Sequence, residues 1–411
     1  MRYEDLRDWI AQTRTLGEVR DVRGASWQED IGRVTEMLHH TDDSPAVLFD
    51  DIPGYPAGYR ILVNANATRR RLALTLGLPI DIERRPLMDE FLRLTESDRR
   101  VPPRFVKDGP VFENVLRGED IDVLKFPAPQ WHPLDGGRYL GTGVCDVLKD
   151  PDSDWINVGT YRVQVQDRDH VSVYISPGKH GRQFRDEYFK RKQPCPIAIV
   201  IGGEPLLEVQ AIYHRNDPII LGVPPNKPPY EPHRYREYLR SALLLRELQS
   251  AGIPGIVDAH CFGVGGCRLF LAVSIQQRYA GHARQAAHVA AMCRVGAYLG
   301  RIVVVVDDDV DVTDLNDVMW ALLTRADPER SLDIIHRAWS GPLDPAIHPD
   351  QKGFNSRLLI DATKPWEWRD KFPIAIGPDA KTRQETRKKW GWILQQAVSD
   401  AMREEAAAPA E

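Results

Sequence analysis

The sequence predicts an α/β fold with an added β domain, arranged in three consecutive segments. Helix-like and strand-like stretches alternate over residues 1–105, strand-like stretches with short turns dominate residues 106–232, and alternation returns over residues 233–411. The chain has 411 residues, which is more than one hydrophobic core usually organises. We therefore expect an N-terminal α/β domain, a central antiparallel sheet or barrel, and a C-terminal α/β domain that ends in a helix.

Composition excludes several classes of protein. The net charge is −5 and the Lys and Arg residues are spread along the chain, which argues against a nucleic-acid-binding protein. The five cysteines form no CxxC pair, which is typical of reduced thiols in a cytosolic protein. The N-terminal "MRYEDLRDWI" is too charged for a signal peptide, and "IVVVV" from Ile302 is too short to span a bilayer. We therefore expect a cytoplasmic protein with no membrane span.

Periodicity places the outer elements. In the N-terminal segment, "YEDLRDWIAQTRTLGEV" predicts a helix that ends at Gly17, and "DIGRVTEMLHH" predicts a second helix. "PAVLFDDI" predicts a strand, and "YRILVNANATRRRLALTLGL" predicts a strand, a turn and a helix. After the proline-rich "PPNKPPYEP", the C-terminal segment predicts a long helix, a strand pair around "CFGVGGC", and a buried strand at "RIVVVVDD".

The stretch "INVGTYRVQVQDRDHVSVYISPGKHG" (156–181) predicts a β-hairpin with unusual polar side chains. A loop of five residues, Gln166 to His170, sets Val165 opposite Val171 and Val163 opposite Val173. This register gathers the apolar side chains on one face, so it is favoured over its neighbours. Arg162, Gln164, Ser172 and Tyr174 occupy the other face.

A metal site is one interpretation of the open end of this hairpin. Pro177 cannot donate to a strand ladder and Gly178 tolerates unusual dihedral angles, so a bulge there would set Asn157 opposite His180. An amide oxygen and an imidazole on one face suit Mn²⁺ or Mg²⁺. The plainer alternatives are a turn residue for Asn157, a solvated loop residue for His180 and an exposed residue for Arg162. Strict alternation also sets Arg162 on the face opposite Asn157, so a shared ligand requires a distortion near Gly159.

Five motifs together resemble the UbiD family of decarboxylases, of the 3-octaprenyl-4-hydroxybenzoate and aromatic acid type, which use prenylated FMN. They are "WINVGTYRVQ" with "ISPGKHG", "LDGGRYLGTG" (134–143), "QRYAGHARQA" (277–286), "VVVVDDDVDVTDLNDVMWALLTRADP" (303–328) and "RLLIDATKPW" (357–366). The resemblance implies an N-terminal α/β domain, a flavin-reductase-like split β-barrel and a C-terminal α/β domain that mediates oligomerisation. It covers nearly the whole chain.

The resemblance also implies a site. Asn157 and His180 would bind a Mn²⁺ that bridges to the cofactor phosphate, with K⁺ nearby, and Arg162 would face the substrate carboxylate. The residues implied to line the prenylated FMN are Thr160, Tyr161, Arg162, Tyr174, Ile175, Ser176, Lys179, His180 and Lys364. For Lys364 the alternative is a surface lysine.

The implied chemistry is reversible, non-oxidative decarboxylation of an aromatic acid, with phenolic acids first, or of an α,β-unsaturated acid. Loss of CO₂ leaves charge on a carbon that the substrate cannot delocalise, and the prenylated flavin supplies an electron sink. An arginine fork would orient the carboxylate, and a carboxylic acid would return a proton. The implied partners are a small acid substrate, a prenyl-flavin synthase that supplies the cofactor, and further copies of the chain in a dimer or hexamer.

The family pattern is interrupted after "IVIGGEPLL", where relatives carry "EIVLEGE"-like and "GPFGE"-like strings. That segment holds the third metal ligand, a Glu, and the acidic residues of the proton relay. Three explanations stay open: a degenerate family member, a sequence that omits a natural segment, or replacement by Glu204 or Glu208. A barrel without these strands should expose unpaired edges.

Two further functions compete with the decarboxylase. The missing segment suggests a non-catalytic homologue that binds the cofactor or assembles subunits. The split barrel also suggests an ordinary flavin oxidoreductase, for which flavin reduction by NAD(P)H would be the signature.

Overall fold

The structure is a computed structural model that describes residues 3–96, 106–201, 211–375 and 380–390. It divides into two compact units, residues 1–363 and residues 364–411. Among the described helices, none is both long enough and apolar enough to cross a membrane.

Helices and strands alternate in the N-terminal segment, as its periodicity predicts. The elements are α1 (Leu6–Thr15), β1 (Val19–Arg23), α2 (Asp30–His39), β2 (Ala46–Asp50), β3 (Arg60–Val63), α3 (Arg69–Leu76) and α4 (Arg84–Glu96). The carboxylate of Asp5 caps α1 by accepting from the Asp8 N–H at 2.9 Å. Gly17, with φ +75°, follows the end of α1, which confirms the predicted stop.

Short strands dominate the central segment, with one helix that the sequence reading did not predict. The elements are β4 (Asn114–Arg117), β5 (Tyr139–Gly141), β6 (Val144–Lys149), β7 (Ile156–Gly159), β8 (Arg162–Val165), β9 (Val171–Tyr174), α5 (His180–Lys190), β10 (Ile197–Ile201), β11 (Ala211–His214) and β12 (Ile219–Gly222).

The C-terminal segment returns to alternation. Its elements are α6 (Glu231–Ser250), β13 (Ile256–Cys261), β14 (Phe270–Ile275), α7 (His282–Met292), α8 (Arg294–Ala297), β15 (Ile302–Asp307), α9 (Leu315–Arg325), β16 (Leu332–Trp339) and β17 (Phe354–Ala362). In the second unit, α10 spans Ala380–Trp390 and the guanidinium of Arg369 lies 3.7 Å from the Trp366 ring centroid.

The N-terminal sheet takes a strand from far along the chain. Its order is β1-β2-β3-β12, with β12 parallel to β3 and Ile219 opposite Arg60. Residues 1–105 therefore do not build this sheet alone. Apolar side chains fill both faces, with Phe49, Ile61 and Val63 on one and Leu48 and Leu62 on the other.

The central strands form three small sheets within the described residues. Two are antiparallel and three-stranded, in the orders β10-β6-β7 and β5-β8-β9, and the third pairs β11 with β4. Strands β7 and β9 each end their sheet, and Val158 and Tyr174 on them are 62% and 61% exposed. Such open edges are expected for a barrel that lacks the strands of the segment found in relatives after "IVIGGEPLL".

The C-terminal sheet has the order β13-β14-β15-β17-β16. Strands β14, β15 and β17 run parallel, while β13 and β16 are antiparallel at the edges. Helices α6 and α7 pack on one face over Val303 and Val305, and α9 packs on the other over Val304 and Val306. Burial of β15 on both faces accounts for its unbroken run of valines.

Candidate functional site

The β8–β9 hairpin has the predicted register. Val163 pairs with Val173 and Val165 with Val171, and all four pack in the core beneath the N-terminal sheet. Arg162 pairs with Tyr174 on the opposite, exposed face. Alternation of apolar residues therefore fixed the pairing correctly over the ladder, because a slip by one residue would have exposed every valine.

The extended strand structure is interrupted between β7 and β8, and we call this interruption the β7–β8 break. It lies at the position near Gly159 where a ligand shared by Asn157 and Arg162 would require a distortion. β7 ends at Gly159 and β8 begins at Arg162, so Thr160 and Tyr161 lie outside both strands. β7 pairs with β6 in one sheet, whereas β8 pairs with β5 and β9 in another. The change of sheet at Thr160 and Tyr161 removes the strict alternation that separated Arg162 from Asn157.

A buried carboxyl group, that of Asp146 on β6, holds this break. Its Oδ2 accepts from the Tyr161 backbone N–H at 2.6 Å, which replaces a ladder bond that neither strand provides. Asp146 is 0% exposed, and its Oδ1 has no hydrogen-bond partner in the described structure. Burial raises the pKa of Asp146 to about 7, and the hydrogen bond from Tyr161 opposes part of that rise.

Asp146 was not among the predicted site residues, although the sequence carries a signal for it. In "VCDVLK" the inward positions are Val144, Asp146 and Leu148, so one carboxyl group interrupts an apolar face. Such an interruption indicates a polar contact that the fold must satisfy.

Asn157 and His180 are not cross-strand neighbours, contrary to the prediction. His180 is the first residue of helix α5, so no bulged strand sets it opposite Asn157; that prediction is wrong. Pro177 and Gly178, with φ +81° at Gly178, form a turn that opens the helix instead of a bulge. Asn157 pairs with Leu148 of β6.

Asn157 and His180 are nevertheless connected through shared neighbouring residues. The Asn157 amide Nδ2 donates to the Tyr161 hydroxyl at 3.2 Å. That hydroxyl packs so close to Gly181 that a Cβ there would lie 2.8 Å from it. The His180 ring centroid lies 4.8 Å from that of Trp155, two residues before Asn157.

These residues offer an incomplete metal site. Asn157 could offer its amide oxygen, and His180 a ring nitrogen, to an ion. Within the described ranges, one group of three His, Cys, Asp or Glu side chains is close enough to share a metal, and it consists of Asp167, Asp169 and His170. That group is fully exposed at the hairpin tip, where acidic groups are common without an ion. The described residues therefore do not complete a divalent-metal site around Asn157.

The side chains predicted to bind a flavin present cations and an aromatic face. Arg162 is exposed and makes no ion pair with any described carboxylate. Lys179 is exposed at the start of α5, and its Nζ lies 5.2 Å from the Tyr298 ring centroid. Cations that make no ion pair within the described residues fit an anionic flavin, because its phosphate needs positive partners, and nearby aromatic rings such as that of Tyr298 suit a ring system that stacks.

The other predicted residues fall into three groups. Ile175 and Tyr161 are buried and pack with Phe184 in one apolar cluster. Thr160 is exposed and Ser176 is half-buried, at either end of the hairpin. Lys364 belongs to the second unit, so its contact with the cofactor stays a prediction. Glu204 and Glu208 lie outside the described residues.

Three family models match the chain in order. Residues 10–90 match the N-terminal domain of 3-octaprenyl-4-hydroxybenzoate carboxy-lyase (UbiD), residues 104–208 its Rift-related domain, and residues 233–362 its C-terminal domain. The central match stops at 208, in the stretch where the motif pattern is interrupted.

Two curated relatives are named decarboxylases. A pyrrole-2-carboxylic acid decarboxylase from Pseudomonas aeruginosa is 25% identical over 90% of this chain and 93% of its own length. A phenolic acid decarboxylase from Sedimentibacter hydroxybenzoicus is 26% identical over 88% of this chain and 92% of its own length. The alignment with the Pseudomonas protein runs over 466 residues, more than the 411 of this chain, so that relative has residues without a counterpart here.

Solved structures share the fold. The vanillic acid decarboxylase ShVdcCD from Sedimentibacter hydroxybenzoicus, in closed form, aligns with a TM-score of 0.77 at 24% identity, covering 97% of this chain and 99% of that one. An evolved dimeric form of the UbiD-class enzyme HmfF from Pelotomaculum thermopropionicum, in complex with prFMN, aligns with a TM-score of 0.74 at 22% identity, covering 91% and 97%. With three consecutive domain models matched and a mixed α/β fold shared with such enzymes, this chain belongs to the UbiD family of decarboxylases.

Proposed function

We propose that this protein is a reversible, non-oxidative decarboxylase of an aromatic acid, phenolic acids first, or of an α,β-unsaturated acid, and that it uses prenylated FMN. Two observations beyond family membership support the proposal. Curated relatives act on pyrrole-2-carboxylic and phenolic acids, and a structural neighbour binds prFMN. These relatives favour a decarboxylase over a non-catalytic homologue or a flavin oxidoreductase.

The observation that carries the proposal is the placement of Arg162. It is exposed at the first residue of β8, immediately after the break that Asp146 holds, and no described carboxylate neutralises it. A guanidinium fork held at a fixed backbone position can bind both oxygens of a substrate carboxylate and orient the bond that breaks. Tyr174 is its cross-strand partner and is exposed like Arg162.

Five other residues would bind or enclose the cofactor and its metal ion. The prenylated flavin, when bound, supplies the electron sink for the pair left by departing CO₂. Lys179 would attract the cofactor phosphate, and Tyr161 and Ile175 would form the buried wall behind it. Mn²⁺ is proposed with Asn157 and His180 as two of its ligands, and K⁺ with no assigned ligand, so no step of the reaction is derived through either ion.

The test is turnover by cofactor-loaded protein. The substrates are 4-hydroxybenzoate, vanillate, 3,4-dihydroxybenzoate and pyrrole-2-carboxylate, with acid loss followed by chromatography and with exchange of labelled bicarbonate into the acid as the reverse reaction. Replacing Arg162 by Ala should lower kcat/KM by roughly 100-fold or more, because a charge-assisted bidentate contact is lost. Arg162→Lys should recover only part, since lysine lacks the fork.

Arg33→Ala is the matched control. Arg33 is exposed on α2 and pairs at 3.0 Å with Glu29, the residue that precedes this helix, so its loss should leave kcat/KM within about twofold. No turnover of any acid by flavin-loaded wild-type protein would contradict the proposal. Equal activity of the Arg162→Ala and Arg33→Ala proteins would contradict the role of Arg162.

A further inference from the structure

A cavity of about 450 Å³ lies beside β16 and β17 of the C-terminal sheet, and we call it the β16–β17 cavity. None of the described residues of the candidate site lines it. Its volume falls within the range of roughly 300–1,000 Å³ that is typical of small-molecule sites. Three cationic side chains line it, those of Arg301, Arg337 and Lys352, against one carboxylate, that of Asp350. A lining with this excess of positive charge favours an anionic ligand.

A β-bulge in β16 determines where Arg337 lies. β16 carries two residues, His336 and Arg337, at the point where its partner β17 carries only Ser356. Bulges of this kind change the direction of a side chain and are common beside functional sites. Arg337 and Ser356 both line the cavity, whereas His336 does not. The bulge therefore brings a guanidinium and a hydroxyl to the same cavity.

Arg337 also has an unfavourable backbone conformation. Its φ is +51°, a left-handed value that long side chains rarely adopt and that Gly and Asn adopt more readily. Its guanidinium carbon lies 5.7 Å from the centroid of the Phe354 ring. Among the described residues, that guanidinium makes no hydrogen bond and no ion pair. An anion in the cavity would provide the directed contacts that these residues do not.

The charge of the other two cations is neutralised only in part within the described structure. Arg301 pairs with the carboxylate of Asp344, whose side chain is 1% exposed. Lys352 differs, because its Nζ donates to the backbone oxygen of Asp344 at 2.5 Å and makes no ion pair with a described carboxylate. Asp350 has 88% of its side chain exposed, so solvent screens its charge. Arg337 and Lys352 therefore carry most of the uncompensated charge.

An aromatic ring lies beside these cations. Phe354 lines the cavity and is 49% exposed, and Trp339, its partner across the two strands, is 59% exposed. Planar bases stack on exposed aromatic side chains, while phosphate oxygens accept from guanidinium and ammonium groups. The lining thus offers separate partners for the two parts of a nucleotide.

We propose that the β16–β17 cavity is a nucleotide-binding site, in which Arg337 and Lys352 bind the phosphates and the Phe354 ring stacks on the base. The Ser356 hydroxyl, opposite the bulge that carries Arg337, is a further donor to a phosphate oxygen. This nucleotide is additional to the acid and the flavin of the candidate active site. The inference does not depend on the proposed function, because none of its residues belongs to that site.

Calorimetric titration of the full chain with ADP, pyrophosphate and adenosine tests the proposal. The first probe carries phosphates and a base, the second phosphates alone and the third a base alone. The proteins compared are wild type, Arg337→Asn, Lys352→Gln and Phe354→Leu. Arg33→Gln is the charge-matched control, because Arg33 is exposed on α2 and does not line the cavity.

Wild-type protein should bind ADP about fivefold or more tightly than pyrophosphate, and adenosine more weakly than ADP. Arg337→Asn and Lys352→Gln should each lower the affinity for ADP by about tenfold or more, because a charge-assisted hydrogen bond is lost. Phe354→Leu should lower the affinity for ADP by about fivefold and leave that for pyrophosphate unchanged. Arg33→Gln should change neither affinity, and Arg162→Ala should leave the affinity for ADP unchanged.

Urea unfolding separates a loss of binding from a loss of folding. Because Asn adopts the left-handed backbone conformation more readily than Arg, Arg337→Asn should keep or raise the midpoint of urea unfolding while it loses affinity for ADP. A purely structural role for Arg337 would instead lower the midpoint. Arg301 is left unchanged, because its replacement would leave the buried carboxylate of Asp344 without its charged partner.

Several outcomes would overturn the inference. They are no binding of ADP to wild-type protein, an affinity for ADP that is unchanged in both Arg337→Asn and Lys352→Gln, or pyrophosphate bound as tightly as ADP. A loss of affinity for ADP in Arg162→Ala but not in Arg337→Asn would also overturn it, because ADP would then occupy the candidate active site. Failure of the proposed decarboxylase is seen separately, because these titrations require neither flavin nor turnover.

Discussion

Replacing Asp146 by Asn should change how stability depends on pH. The carboxyl of Asp146 is fully buried, and its pKa rises from an ordinary 3.8 to about 7 because burial penalises the charged form. Below pH 4 the group is protonated in both the folded and the unfolded chain, so it has no pH-dependent effect. Between pH 4 and 7 the unfolded chain releases the proton while the folded chain keeps it, so the free energy of unfolding falls as pH rises.

The magnitude follows from the two pKa values. The difference between 3.8 and about 7 corresponds to roughly 4 kcal/mol of stability lost by pH 7 to 8. Asn is neutral at every pH, and its side-chain oxygen can still accept from the Tyr161 N–H. Relative to wild type, Asp146→Asn should therefore gain about 3 kcal/mol in free energy of unfolding between pH 4.5 and pH 8, because about 1 kcal/mol of the total is already lost below pH 4.5.

Urea unfolding followed by tryptophan fluorescence at several pH values measures this difference. The control is Asp81→Asn, because that carboxylate is 94% exposed and its replacement should give a nearly constant difference from wild type. A difference between Asp146→Asn and wild type that stays flat from pH 4.5 to pH 8 would show that the Asp146 carboxyl is solvated and does not hold the β7–β8 break.

Two further predictions concern the N-terminal domain. Glu18→Ala should lower the free energy of unfolding by about 3–5 kcal/mol, because it leaves the fully buried Arg71, whose Nη1 lies 2.9 Å from Glu18 Oε2, without its charged partner; urea unfolding of the exposed Glu29→Ala as control should give less than about 1 kcal/mol, and equal losses would contradict the assignment. Gly32→Ala in α2 should lower the free energy of unfolding by about 1–3 kcal/mol, because a Cβ at this position would lie 2.3 Å from the Trp131 carbonyl oxygen. An unchanged midpoint of urea unfolding would show that α2 and the Trp131 backbone are not in contact.

Local patterns determined what the sequence could predict. The β8–β9 register followed from the alternation of Val163, Val165, Val171 and Val173, which depends only on neighbouring strands. Helix boundaries such as Gly17 followed from capping chemistry. The family assignment followed from motifs spread along the whole chain, and the domain models confirm it.

Non-local pairing accounts for what the sequence could not predict. β12 belongs to the central segment in sequence but pairs with β3 of the N-terminal sheet, and its own residues do not indicate that pairing. His180 was assigned to a bulged strand, whereas the Pro177–Gly178 turn opens a helix there, and the polar-apolar periodicity of the following residues was the overlooked signal.

The most direct test of the proposed function is the absorbance spectrum and native mass of purified protein co-expressed with a prenyl-flavin synthase. Family membership and the cations Arg162 and Lys179, which make no ion pair with a described carboxylate, predict one prenylated flavin per chain, with its absorbance retained through gel filtration and reduced in Arg162→Ala. Protein of 46.7 kDa per chain that carries no flavin under these conditions, while remaining folded, would contradict the proposal that this chain is a prenylated-FMN decarboxylase.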